Sequence, residues 1–158
     1  MPTIWAIAFA INGILAVGAG HAKDTDHAIH WQALSRTASA ITGDIALTDA
    51  KLRFGNGAWI GLTLLERDVS NGIALYRILD QANPPLLNGN RLCGAEPPDY
   101  LTTHVAGDAS GQRELSLHVY RYAGQLKIAD LPLRADGPPE QSLCAIYNYA
   151  RDDRQSPR

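Results

Sequence analysis

The sequence contains no G-x-S-x-G nucleophile elbow, no phosphate-binding or dinucleotide glycine loop and no H-E-x-x-H pair. Each of those patterns sets a reactive group or a phosphate cradle at a fixed place on a strand–turn–helix, so their absence removes the commonest sequence grounds for an enzyme. Charge of one sign is also lacking. Fourteen Lys and Arg against sixteen Asp and Glu leave a net charge of −2. That balance excludes a strong nucleic-acid footprint and a polybasic membrane-surface anchor. There is no internal repeat, no low-complexity tract and no linker, and 158 residues make one domain. Apolar residues are 46% and charged residues 19%, the composition of a globular chain. Cysteine is scarce, with only Cys93 and Cys144.

The one long hydrophobic run is at the start. From Ile4 to Ala19 the chain is apolar apart from Asn12, Gly13 and Gly18, and Gly20-His21-Ala22 ends it in small residues. This reads as an export signal over residues 1–22, although no Lys or Arg precedes the run. An uncleaved anchor is the competing reading. About sixteen apolar residues fall short of the roughly 20 that span a bilayer, and the flank Lys23-Asp24-Thr25-Asp26 carries both signs of charge. No cysteine near the cut allows a lipoprotein anchor. Cleavage leaves 136 of the 158 residues, expected to be soluble, periplasmic or secreted, and free of the membrane.

In an oxidising compartment two thiols of one small domain pair, so Cys93 and Cys144 are expected to form a disulfide. A reactive thiol or a metal pair is the alternative, but the spacing matches neither a C-x-x-C redox motif nor a zinc knuckle.

Period-two alternation dominates the rest. Ile41, Ile45 and Leu47 share a face, and Leu115, Leu117 and Val119 alternate with Ser116, His118 and Tyr120. Further strands are expected over residues 50–54, 58–66, 73–79, 100–106, 125–131 and 143–149. Gly55-Asn56-Gly57 and Ser70-Asn71-Gly72 supply hairpin turns, with loops at 107–112 and 135–139. Residues 26–39 read either as a helix, with Trp31, Leu34 and Ala38 at helical spacing, or as an opening strand around Trp31, which is preferred. The Pro-Pro pairs at 84–85 and 97–98 exclude a central strand between them, and a short helical turn is expected over 86–92. The fold class is therefore all-β, a small antiparallel barrel or sandwich of seven or eight strands. A single domain over 23–150 is followed by a disordered polar tail, 151–158.

Candidate chemistry is sparse. His27 and His30 lie near the mature N-terminus, and His104 and His118 lie on separate strands, but neither pair has a metal-site pattern. Arg77 and Arg121 interrupt apolar faces, either as strand-end residues or as residues reaching an anion. The aromatic pattern is more informative. His118, Tyr120 and Tyr122 follow one face of their strand, and Tyr147 and Tyr149 share a face of another. Such faces form a ligand cavity, a protein-contact surface or a packing lid. These five residues are the candidate binding face. No catalytic residue, metal or cofactor is expected. The expected partner is a protein or a small apolar ligand, making the chain a binding or inhibitor-type module; a structural or envelope-associated subunit is the alternative.

Three segments carry a resemblance. Ser35-Arg36-Thr37-Ala38-Ser39-Ala40-Ile41-Thr42-Gly43-Asp44-Ile45, Leu86-Leu87-Asn88-Gly89-Asn90-Arg91-Leu92-Cys93-Gly94 and Leu143-Cys144-Ala145-Ile146-Tyr147-Asn148-Tyr149 together resemble a group of small exported proteins from rhizobial-type α-proteobacteria. Ala145 stands where a Gly is expected after the cysteine. The resemblance implies export and the Cys93–Cys144 pair, and it brings no catalytic residues.

Overall fold

A computed structural model describes residues 27–107, 109, 111–131 and 142–152. Eight strands follow one another: β1 (Ile29–Ala33), β2 (Ile45–Leu47), β3 (Lys51–Arg53), β4 (Trp59–Asp68), β5 (Ile73–Ile78), β6 (Tyr100–Gly107), β7 (Gln112–Tyr120) and β8 (Leu143–Asp152). Each pairs antiparallel with the next. The ring closes because β1 gives its first half to β2 (Ile29 opposite Leu47) and its second half to β8 (Ala33 opposite Tyr149). Every strand thus has a strand neighbour on both sides for at least part of its length. The fold is thus a closed eight-stranded barrel, all-β as the alternation requires, and not a sandwich.

An eight-stranded barrel has an interior just wide enough for its own side chains. Leu52, Ile60, Leu101, Leu115, Leu117 and Val119 fill it without exposure. They sit on one parity of their strands, as a two-residue period demands. The register puts Leu117 against Thr103 on one side and Tyr147 on the other, both buried.

The two ends of the barrel differ. One end is closed by the long connections. Between β1 and β2, residues Ala38–Thr42 wind into a single π-helical turn. Gly43 ends it at φ 63, a left-handed conformation that favours glycine. The strand expected from Ile41 therefore begins only at Ile45. The reason is local: Thr42 is buried, and its hydroxyl donates back to the Ala38 carbonyl at 3.0 Å. With its own proton committed there, Thr42 accepts from the Tyr149 hydroxyl, 2.7 Å away. The β5–β6 connection adds Leu86 and Leu92 to the same plug. It contains the expected helical turn, as a 3-10 turn over Leu87–Gly89. The Tyr147 hydroxyl donates to the Leu92 carbonyl at 2.9 Å. Next to it the Cys93–Cys144 disulfide ties this connection to the start of β8, with a Cα–Cα distance of 5.4 Å.

Residues 125–131, expected as a strand, are not one. The segment after β7 lies as a strap across the outside of the wall. Leu126 and Leu131 pack there on Leu75, Tyr100 and Tyr120 in a second apolar cluster. A 3-10 turn at Ile128–Asp130 bends it, closed by the Asp130 N–H donating to the Lys127 carbonyl at 3.0 Å. No neighbouring strand is free to pair with it, because β7 already pairs with β6 and β8. Its anchors are the Tyr100 hydroxyl donating to the Gly124 carbonyl (2.7 Å) and the Ile128 N–H donating to the Glu66 carboxylate (2.9 Å). Arg151 and Asp152, expected in the tail, belong to β8. The export signal expected over 1–22, the loop expected over 135–139 and residues 153–158 lie outside the described residues.

The β4–β5 hairpin turns at Gly72, where φ is 66. The Val105 N–H donates to the Gly72 carbonyl at 2.9 Å. A Cβ built on Gly72 would stand 2.3 Å from the Val105 carbonyl oxygen, so backbone would have to move. Gly72→Ala is expected to cost about 1–3 kcal/mol. Gly57→Ala, at φ 86 but with open space around it, is expected to cost about 1 kcal/mol. Urea unfolding of the two variants side by side checks this; equal costs would show that the approach to Val105 does not constrain the turn.

Candidate functional site

The end opposite the plug is built from the short β2–β3, β4–β5 and β6–β7 turns, with the start of β1 and the end of β8 between them. No long connection crosses it among the described residues. It holds a depression of about 470 Å³, within the range of small-ligand sites. Its apolar lining includes Ile29, Leu47, Ala74 and Val105, with the aromatic rings of Trp31 and Tyr76. Around these stand Arg67, Arg113, Arg151, Asp49 and Asp68.

Each polar group has a traceable place. Asp49 pairs with Arg67 and accepts from the Tyr76 hydroxyl at 3.4 Å. Burial, and next the Asp49 charge, push the Tyr76 hydroxyl above its usual pKa. Asp68 turns to its own hairpin, accepting from the Ser70 hydroxyl (2.6 Å) and the Asn71 amide (2.7 Å). Those hydrogen bonds hold its carboxyl below the usual range. Arg113 and Arg151 face each other directly across the β7–β8 ladder. The Arg151 guanidinium lies over the Trp31 ring, 4.9 Å from its centroid, a cation–π contact. Trp31 is 3% exposed, and its indole N–H has no hydrogen-bond partner among the described residues. A buried donor without an acceptor is rare in a folded protein and costs about 1–3 kcal/mol of desolvation.

The five residues of the aromatic pattern do not come together. Tyr147 and Tyr149 point into the barrel, buried and hydrogen-bonded to the plug. His118 and Tyr120 lie outside, on the opposite parity of β7, where Tyr120 is covered in the second cluster and Tyr122 packs against it. The Tyr120 hydroxyl and His118 Nδ1 are 3.4 Å apart. Burial first, and His104 second, lower the pKa of His118. Thr102 and His118 are directly opposed in the ladder, which puts His104 beside His118 on the same outer face. The other candidates have structural partners. Asp44 accepts the Ala33 N–H at 2.9 Å, Arg121 pairs with Glu96 at 2.5 Å, and Arg77 lies over the Tyr100 ring. His27 is at the rim of the depression, while His30 is exposed.

The mouth residues themselves escaped the sequence reading. The signal was present. Arg151 continues the alternation of Tyr147 and Tyr149 by one more step, and Arg113 precedes Leu115 and Leu117 in the same phase. Among the described residues no three His, Cys, Asp or Glu side chains form a group able to hold a metal ion. No known protein family, curated protein or solved structure matches the chain.

Proposed function

We propose that the protein is an exported binding module whose open barrel mouth takes a small ligand with an apolar body. The observation that carries this reading is the depression of about 470 Å³ at the end that no long connection crosses among the described residues, lined by the rings of Trp31 and Tyr76 together with aliphatic side chains of the inner wall. The buried Trp31 N–H, which finds no acceptor among the described residues, is a donor that a ligand in the depression could satisfy. The disulfide supports export, because such bonds persist outside the reducing cytosol. The signal-like N-terminus and the resemblance to small exported proteins support the same compartment. A subunit joined at a strand edge has less support, since β1 pairs with β8 and the ring is closed.

The test uses the two tryptophans of the barrel. Trp31 lines the mouth, whereas Trp59 is 57% exposed on the outer wall beneath Lys51. Titration of the purified protein with octanol and with octanoate, followed by ¹H–¹⁵N NMR, should move the Trp31 indole signal in a saturable way and leave that of Trp59 in place. If neither compound moves Trp31, or both tryptophans shift together, the mouth is not a binding site.

A further inference from the structure

We propose that His104 and His118 form a two-imidazole site for a divalent transition metal of the zinc or nickel class on the outer wall of the barrel. The site is separate from the mouth and does not depend on ligand binding there. Three observations carry it. First, the β6–β7 ladder opposes His104 to Ser116 and Thr102 to His118, so the two histidines are diagonal neighbours on one outer face. Diagonal partners in an antiparallel pair lie about 7–8 Å apart, within reach of aromatic side chains, and two imidazoles at that spacing can meet at one ion. His104 is exposed, so an ion reaches the pair from solvent. Second, the residues that oppose them are uncharged. On their other flanks His104 faces Ile73 and His118 faces Ile146, and the Ser116 hydroxyl is turned to Asn148, donating to its side-chain oxygen at 3.0 Å. None of these register partners brings a cation that would repel the metal, or an acid that would hold a ring as imidazolium. Burial, and next the charge of His104, hold the pKa of His118 below its usual value, so at neutral pH His118 is the neutral imidazole that binds metals. Third, the Tyr120 hydroxyl stands 3.4 Å from His118 Nδ1. A proton on Nδ1 directed at that oxygen leaves the Nε2 lone pair free, the outer-shell support that metal-ligating histidines characteristically have. Imidazole nitrogen suits zinc and nickel, and water completes the coordination.

The deciding measurement is a titration of the untagged protein with zinc chloride and with nickel chloride at pH 7.5, read by calorimetry and, for zinc, by NMR of the histidine ring protons. One ion should bind per chain, and the ring signals of His104 and His118 should shift together and saturate at the same zinc concentration. H104A and H118A should each weaken binding at least about tenfold, because a lone imidazole loses the benefit of a tethered second donor. H27A/H30A, which removes the other two described histidines, should bind as the unaltered protein does. Absence of binding by either metal up to about 1 mM overturns the proposal. So does binding that H104A and H118A leave within threefold, or that H27A/H30A abolishes, since the ion then sits elsewhere. A zinc-dependent shift of only one of the two ring signals overturns it in favour of a single-imidazole contact. His104 is exposed, so H104A leaves the core untouched; if H118A fails to fold, H104A and the ring signals of the unaltered protein decide.

Discussion

Replacing Cys93 and Cys144 by alanine is expected to lower the unfolding free energy by about 4 kcal/mol. The two cysteines are 51 positions apart, and in the chain-entropy account closing a loop of that length removes about this much freedom from the unfolded chain. The effect is large for a domain of this size, whose total stability is about 5–15 kcal/mol. The cross-link also acts at a chosen place. It fastens the proline-rich β5–β6 connection to the first turn of β8, beside the Tyr147–Leu92 hydrogen bond that seals the plugged end. Without it, Leu86 and Leu92 are held in the core by their own burial and by local hydrogen bonds such as that from Tyr147 to the Leu92 carbonyl. Guanidinium unfolding of the double alanine variant, and of the native protein after reduction, should show the same loss. A thermal midpoint lowered by roughly 15 °C accompanies it. A loss below 1 kcal/mol in both experiments would mean that the unfolded chain gains little freedom when the bond is cut. The depression at the mouth lies at the far end of the barrel, so the ligand response of Trp31 should outlast the disulfide under conditions where the reduced protein remains folded.

Much of this barrel is legible in the order of its residues. Leu115, Leu117 and Val119 alternate with polar neighbours, and the structure buries all three. Gly55-Asn56-Gly57 and Ser70-Asn71-Gly72 turn the chain where turn chemistry says they should. What the alternation cannot show is which parity faces inward when both sides of the wall are covered. Tyr120 and Tyr147 are equally buried, one under the strap on the outside and the other in the interior. The five aromatic candidates therefore look like one face in the sequence and occupy two in space. The strap misleads for a related reason: Leu126 and Ile128 alternate like a strand, but their partner is a surface, and nothing in a period of two distinguishes packing on a sheet from pairing within one. The mouth is hidden differently. It is assembled from β1, β2, β4, β5, β6, β7 and β8 and from the turns between them, and its registers are set by closure of the ring. Arg113 and Arg151 are 38 positions apart in the chain and meet only because β7 and β8 pair in one particular register.

The interior tyrosines give the barrel a second strong dependence, on alkali. Burial pushes the Tyr147 hydroxyl up to about 12 and the Tyr149 hydroxyl further still. Tyr76 and Tyr120 are raised as well, again mainly by burial. In the unfolded chain each titrates near 10. The sign follows from proton counting. As the pH rises through about 10, the unfolded chain loses tyrosine protons that the folded barrel keeps, so the folded state binds more protons and stability falls. The contribution is fully present below about pH 10. It declines at about 1.4 kcal/mol per pH unit for each such tyrosine once the unfolded form is ionised, and for Tyr147 it levels off above about 12. Urea unfolding between pH 8 and 12 should therefore show a plateau followed by a steep descent. Replacing both Tyr147 and Tyr149 by Phe removes two donors, to Leu92 and to Thr42, and should cost about 1–3 kcal/mol at pH 8. The same variant should lose stability with pH much less steeply above 10, because two of the groups responsible are gone. An unchanged slope in Y147F/Y149F would assign the alkaline transition to Tyr76 and Tyr120. A shallower slope with the plateau intact would show that two phenolic protons, held at the plugged end by Thr42 and Leu92, set the upper pH limit of the barrel.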